Sequence, residues 1–246
     1  MKIEIDTHTH TVLSGHAHST LLENAAAAAK KGLYGFVLTD HGPSLPGAPP
    51  EFNIGTYPYI PSRIEGVRIY PGVEANIINS RGDIDISGKY IDLVDFVIAG
   101  MHEVVLPSQG VKLDTQAAIG ALANKYIDII AHPDNPGFFL DYEAVVKAAS
   151  RYGKLLEVND HSFNYRRGGI ANAERYLKLC RKYGVRVAVS SDAHFASDIG
   201  GHDTALRILE KNNFPEELVV NATAERFESY LAERKKRLER AVCANN

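Results

Sequence analysis

Residues 3–10 read Ile-Glu-Ile-Asp-Thr-His-Thr-His. A short β-branched run, Ile3–Ile5, ends in two imidazoles at i, i+2. In extended backbone this spacing sends His8 and His10 to one face and Thr7 and Thr9 to the other. Two imidazoles on one face can share one metal ion. The same arrangement recurs along the chain, with an apolar run stopping at a metal-type ligand or a polar amide. Phe36–Leu38 stops at Thr39-Asp40-His41, and Val73–Ile77 contains Glu74-Ala75-Asn76. Phe96–Ala99 leads to Gly100-Met101-His102, and Ile127–Ala131 to His132-Pro133. Leu155–Val158 precedes Asn159-Asp160, and Val185–Val189 precedes Ser191-Asp192-Ala193-His194.

Helical patterns alternate with these runs. Leu21–Lys31 carries the Ala25–Ala29 stretch, which allows close packing on a sheet. Thr115–Asn124, Tyr142–Tyr152 and Ala171–Tyr183 follow, the last two closed by Gly153 and Gly184, residues suited to a helix C-cap. Strand, loop, helix and strand in repetition predict a parallel sheet with right-handed crossovers. About seven such units suit an α/β architecture, a closed and distorted TIM-like barrel. A doubly wound open sheet is the alternative. In a barrel every strand's C-terminal end faces one mouth, so polar groups scattered over the sequence converge there. The segment from Gly42 to Pro61, with six prolines, reads as a long loop. Pro71-Gly72 is expected to separate two extended pieces, Val67–Tyr70 and Val73–Ile77.

At 246 residues a single barrel domain over 1–246 is adequate, with helices at about 203–246 packing on it. Hydrophobic content of 45% against 23% charged residues excludes a disordered or low-complexity chain. No run approaches the ~18 apolar residues of a membrane span. The N-terminus has no apolar h-region after its lysine, so no secretory signal is expected. The formal charge of −3 gives no global attraction for a long nucleic acid, and no membrane partner is expected either. Cys180 and Cys243 are the only cysteines, which fits a reducing cytoplasm rather than a disulfide framework. The final helix, about Ala224 to Val242, places Phe227, Leu231, Leu238 and Val242 on one stripe. Its run Arg234-Lys235-Lys236-Arg237, interleaved with Glu233 and Glu239, reads as a solvated face.

A single histidine is as readily a hydrogen-bonded core residue as a ligand. Six strand ends carrying His, Glu or Asp are not so explained, because buried charged groups are costly unless paired or metal-bound. The motifs Asp6-x-His8-x-His10 with Ser14-x-His16, Thr39–Gly42, Gly72–Asn76, Ala99–His102, Ala131–Pro133 and Ser190–His194 resemble, in order and spacing, the PHP (polymerase and histidinol phosphatase) superfamily. The segment Glu157-Val158-Asn159 with Ser162-Phe163 is most similar to its small stand-alone YcdX-like phosphatases. The resemblance implies a distorted (β/α)7 barrel with three divalent ions at its C-terminal mouth. It implies His8, His10, Glu74 and Asp192 on the first, Glu74, His102 and His132 on the second, and His16, His41 and His194 on the third. His18, His161 and His202 are left over.

An imidazole and carboxylate donor set without thiolate suits Zn²⁺, the first expectation, with Mn²⁺ or Fe²⁺ as alternatives. Two ions bridged by Glu74 would lie ~3.5–4 Å apart and hold a hydroxide formed near neutral pH. Three divalent ions less two carboxylates and that hydroxide leave a positive pocket, which draws an anion. The expected function is hydrolysis of a small phosphomonoester, with Glu74, Asp192 and His194 as catalytic groups and no phosphoenzyme. Arg166 and His161 are expected to bind substrate, Arg166 as a bidentate phosphate clamp. Asp40 is expected to orient His41 or its neighbours, and Asp6 to act similarly. Histidinol-phosphate phosphatase, and phosphodiesterase or exonuclease action on short nucleotides, are the enzymatic alternatives. A metal-binding regulatory domain is the non-enzymatic one, disfavoured because no ligand is missing. A homo-oligomer is compatible with the sequence.

Overall fold

The computed structural model describes residues 1–243, with side chains to residue 240. Val242 of the expected apolar stripe and the Cys243 thiol therefore lie outside the described side chains. Seven parallel strands run in the order β1 (Ile5–Thr9), β2 (Gly35–Leu38), β4 (Val67–Asn76), β5 (Phe96–Gly100), β6 (Ile129–Ile130), β7 (Leu155–Asn159) and β8 (Val187–Ser190). A two-residue strand, β3 (Arg63–Ile64), pairs antiparallel with β4. A parallel bridge between Thr9 and Ala193, with His10 N–H donating to the Ala193 carbonyl at 2.9 Å, draws the two ends together. The sheet is thus a nearly closed barrel rather than an open doubly wound sheet.

Helices α1 (Leu21–Lys30), α2 (Gly88–Ile91), α3 (Val111–Ala123), α4 (Tyr142–Tyr152), α5 (Asp160–Tyr165), α6 (Gly169–Tyr183) and α7 (Asp203–Lys211) lie in the connections. The alanines of α1 do what their size allows: Ala25 and Ala28 are buried against Phe36 and Ile69. Thr20 and Glu23 cap that helix reciprocally.

Several boundaries differ from the sequence expectations. β1 extends through the polar motif instead of ending at Ile5, because the motif's backbone pairs with β2. Pro71-Gly72 does not interrupt β4. The strand changes partner there, pairing with β2 up to Pro71 and with β5 from Gly72, so the missing proline N–H falls at the handover. The proline-rich loop contains a 3-10 segment, Glu51–Tyr59. The short helix α5 was not expected. It starts because the Asn159 side chain, at the end of β7, accepts from Ser162 N–H at 2.8 Å.

The base of the barrel is filled by Ile5, Val37, Phe96, Ile98 and Leu155, and is closed by α8 (Ala224–Cys243) through Phe227 and Tyr230. The basic run of α8 is not wholly a solvated face. Arg234 is buried, and both it and Arg237 donate to Asp128, at 2.8 and 2.6 Å. Asp128 sits between strands where no periodicity in α8 could announce it. Among the described residues no helix is long and apolar enough to cross a membrane.

Candidate metal centre

The side chains above that base point toward the opposite mouth. In β7 simple alternation suffices: Leu155 lies in the base, and Glu157 and Asn159 follow on the same face. In β1 it does not. Ile5 is in the base, and strict alternation would then send Thr7 and Thr9 inward. The β1–β2 register shifts between Asp6 and Thr9, and this irregularity reverses the parity so that His8 and His10 face the interior.

Glu74 is the hub. Its Oε1 lies 3.1 Å from His132 Nε2 and 3.2 Å from His102 Nε2. Its Oε2 lies 3.1 Å from His8 Nε2, 3.5 Å from His10 Nε2 and 2.8 Å from His41 Nδ1. Asp192 Oδ1 approaches His10 and His8 at 3.1 and 3.4 Å. His194 Nε2 and His16 Nε2 are 2.9 Å apart. All nine residues expected as ligands are therefore gathered at one mouth. The donor atoms of His8, His10 and Glu74 form one compact group, those of His41, Glu74 and His102 a second, and those of His10, His41 and His194 a third. His41 differs from expectation, because it contacts Glu74 as well as the His16 and His194 side.

Hydrogen bonds fix which ring nitrogens face the centre. His8 Nδ1 donates to Glu157 at 2.7 Å, and His102 Nδ1 to Asn76 Oδ1 at 2.7 Å. The Asn76 amide is itself oriented, since its Nδ2 donates to Gly42 O and Asp85. His16 and His194 donate from Nδ1 to the carbonyls of Ser14 and Asp192. His10 Nδ1 lies 2.9 Å from Ser14 Oγ, whose own proton goes to Asp40 at 2.6 Å. Five imidazoles thus present unprotonated Nε2 atoms inward. His8 and His10 bring theirs within 2.9 Å of each other, and the buried His41 Nδ1 beside Glu74 has no hydrogen-bond partner. Lone pairs aimed at lone pairs and carboxylates demand positive charge at the centre. Imidazoles and carboxylates in this arrangement fit divalent cations.

The titration behaviour carries the same message. Burial opposes ionisation of Glu74, yet His8, His41 and His102 hold its carboxyl well below the usual range. Asp192 is likewise held low by His8, His10 and His194 against its burial. Burial and the neighbouring His41 and His194 push His10 well down, which keeps it neutral. His8 is pushed well up, because Asp192, Glu74 and Glu157 outweigh its burial; a proton or a metal ion answers that demand equally.

Two of the nine residues adopt strained backbone. His132 and Asp192 have φ of 30° and 51°, in the left-handed region that costs about 1–3 kcal/mol for such residues. Glu157 holds the first by accepting from His132 N–H, and Asn159 Nδ2 holds the second by donating to Asp192 Oδ2 at 3.1 Å. Gly100 supplies room: a Cβ there would lie 2.5 Å from Glu74 Oε1.

The centre forms the floor of a cavity of about 520 Å³. Arg166 lines it, as do the apolar Leu45, Pro46, Met101 and Val104 and the polar Glu103 and Asn135. His161 instead lines a smaller adjoining pocket, its ring stacked on Tyr165 and 5.5 Å from His194. His18 is exposed. Asp40 acts on His10 through Ser14 rather than on His41. Asp6 accepts from Ser191 and Gly200 N–H and faces His202, fastening β1 to the segment after β8.

Glu157 was not assigned a role from sequence. It accepts from His8, His132 N–H, Asn159 and Ser190. Alternation in Leu155–Asn159 was the signal that could have pointed it inward. Glutamine at 157 cannot accept all four donors, so Glu157→Gln should weaken metal binding by about 10–100-fold, read by competition with a chelator. Wild-type affinity would show that His8 and His132 are oriented without it.

A parallel barrel with a convergent imidazole and carboxylate centre at its mouth defines a metal-dependent hydrolase. The chain belongs to the PHP domain family, whose match runs over residues 6–239. A protein named "Probable phosphatase" from Acetivibrio thermocellus is 43% identical over 98% of this chain and 100% of its own length. Another protein described as a probable phosphatase, from Caldanaerobacter subterraneus subsp. tengcongensis, is 46% identical over 97% of this chain and 94% of its own. Among solved structures, a histidinol phosphate phosphatase from Lactococcus lactis, crystallised with zinc, L-histidinol and phosphate, superposes with a TM-score of 0.60. It covers 87% of this chain and 95% of its own, at 15% identity, a likeness of fold.

Proposed function

We propose that this chain hydrolyses small phosphomonoesters with the aid of three divalent ions, Zn²⁺ in the first instance. The observation that carries the reading is the convergence of seven imidazoles with Glu74 and Asp192 under a cavity that Arg166 lines. His8, His10, Glu74 and Asp192 would hold one ion, Glu74, His102 and His132 a second, and His16, His41 and His194 a third. When bound, the ions neutralise the phosphoryl oxygens and lower the pKa of water to near ~7.

The chain's own groups do the rest. Glu74 and Asp192 stay ionised and supply the negative charge that retains cations. Glu157, Asn76, Ser14 and Asp40 keep the imidazoles in one tautomer and orientation. His194 is half-buried and lines the cavity, where it would meet a phosphoryl group bound there. Arg166 offers a planar fork to phosphate oxygens. The apolar lining residues Leu45, Pro46, Met101 and Val104 suit the carbon skeleton of the leaving group. His161, in the adjoining pocket 5.5 Å from His194, would reach only a part of the substrate that extends beyond the main cavity. A reducing cytoplasm is the proposed location, in keeping with the buried free thiol of Cys180.

The test is hydrolysis of an aryl phosphate by protein of known metal content. Chelation should abolish turnover, and Zn²⁺, Mn²⁺ or Fe²⁺ should restore it with three ions per chain. Turnover by the metal-free protein, or none by the loaded protein on aryl phosphate, histidinol phosphate, nucleotides and sugar phosphates, would refute the reading.

A further inference from the structure

Arg166 is the only arginine or lysine lining the main cavity among the described residues. Its place is imposed by groups that do not line the cavity. Arg166 Nη1 donates to Ser162 Oγ at 3.2 Å, and its backbone N–H donates to the Ser162 carbonyl at 2.8 Å. Among the described residues, no other nitrogen of its guanidinium donates to the protein, so the rest of the fork is free for an oxyanion. Ser162 is fully buried, and its Oγ proton goes to Asp134 Oδ2. Asp134 is also fully buried, and its second oxygen has no partner. Its bonded oxygen rests where a Cβ of Gly169 would come within 2.8 Å, at the start of α6.

A serine hydroxyl has a single proton and two lone pairs. Committing the proton to Asp134 turns the lone pairs toward the guanidinium. Without that acceptor the hydroxyl can rotate its proton toward Arg166, and the arginine loses its anchor. Ser162 N–H is held in turn by Asn159, whose amide also donates to Asp192. The guanidinium is therefore registered to the metal centre through a continuous run of hydrogen bonds from Asp192 by way of Asn159 and Ser162.

We propose that Asp134 and Ser162 are positioning residues that orient the Arg166 guanidinium toward the substrate's phosphoryl group and so set phosphate affinity without touching substrate. This rests on the reading of Arg166 as a phosphate clamp. The measurements are KM and kcat for an aryl phosphate, calorimetric affinity of the metal-loaded protein for inorganic phosphate, and metal content. Ser162→Ala should raise KM and weaken phosphate binding by about five- to tenfold, with kcat within about twofold. Ser162→Thr, which keeps the hydroxyl, should return both near wild type. Asp134→Ala should follow Ser162→Ala. In an Arg166→Ala background neither substitution should have any further effect, because the group they position is gone. Loss of metal, or a fall in kcat alone, in the Ser162→Ala protein would overturn the proposal. So would additive effects with Arg166→Ala. If Arg166→Ala itself leaves KM and phosphate affinity unchanged, the clamp fails and the relay with it. If Arg166→Ala weakens both while Ser162→Ala behaves as wild type, the relay alone fails.

Discussion

Glu74→Gln should leave a folded protein that has lost metal and nearly all turnover. The carboxylate is buried and both its oxygens are engaged, one facing His102 and His132, the other His8, His10 and His41. Glutamine keeps the shape but removes the charge and places an N–H₂ against nitrogens that are themselves oriented as donors of lone pairs. Losing charge stabilisation worth several kcal/mol in the transition state corresponds to a fall in kcat/KM on the order of 10³. Elemental analysis should find at least one ion fewer per chain, while the circular dichroism of the barrel stays unchanged. Metal content and turnover both equal to wild type would remove Glu74 from the centre of the site.

The second large effect lies at the other end of the barrel and concerns stability. Asp128 accepts from Val97 N–H at 2.9 Å, Arg234 Nε at 2.8 Å, Arg237 Nη2 at 2.6 Å and Tyr230 Oη at 3.2 Å. Asp128→Ala leaves the buried Arg234 guanidinium without its counter-ion, and breaking a buried pair in this way costs about 3–5 kcal/mol. For a chain of this size that is a fall in Tm of about 6–20 °C, read by calorimetry. The folded fraction should retain its metal, because the mouth is built from the opposite strand ends. A loss under about 1 kcal/mol would mean that the Asp128 ion pairs contribute little and that α8 is held by its apolar packing and its other hydrogen bonds.

How legible each part was depends on the range of the interaction that decides it. Asp6-Thr7-His8-Thr9-His10 could be read because strand periodicity is local, and the chemistry of imidazole and carboxylate does not depend on neighbours. The recurrence of ligands after apolar runs was legible for the same reason, and parallel topology turned it into one mouth. Pro71-Gly72 misled because its effect depends on which strand needs an N–H at that point. Asp40 could be placed near His41 and its neighbours from sequence, but that it acts on the neighbour His10, and through Ser14, depends on contacts made only across the fold.

The amino-acid order by itself therefore determined the donor types, the strand and helix alternation and the mouth at which the donors meet. Only the tertiary structure decided that β1 reverses its parity between Asp6 and Thr9 to turn both imidazoles inward. Only there did Glu157 emerge as the group that orients His8 and His132, and Asp128 as the anchor of the last helix. The physical reason is common to all three. A register shift and a buried hydrogen bond depend on partners tens of residues away, and their energies exist only when the closed barrel excludes water from between them.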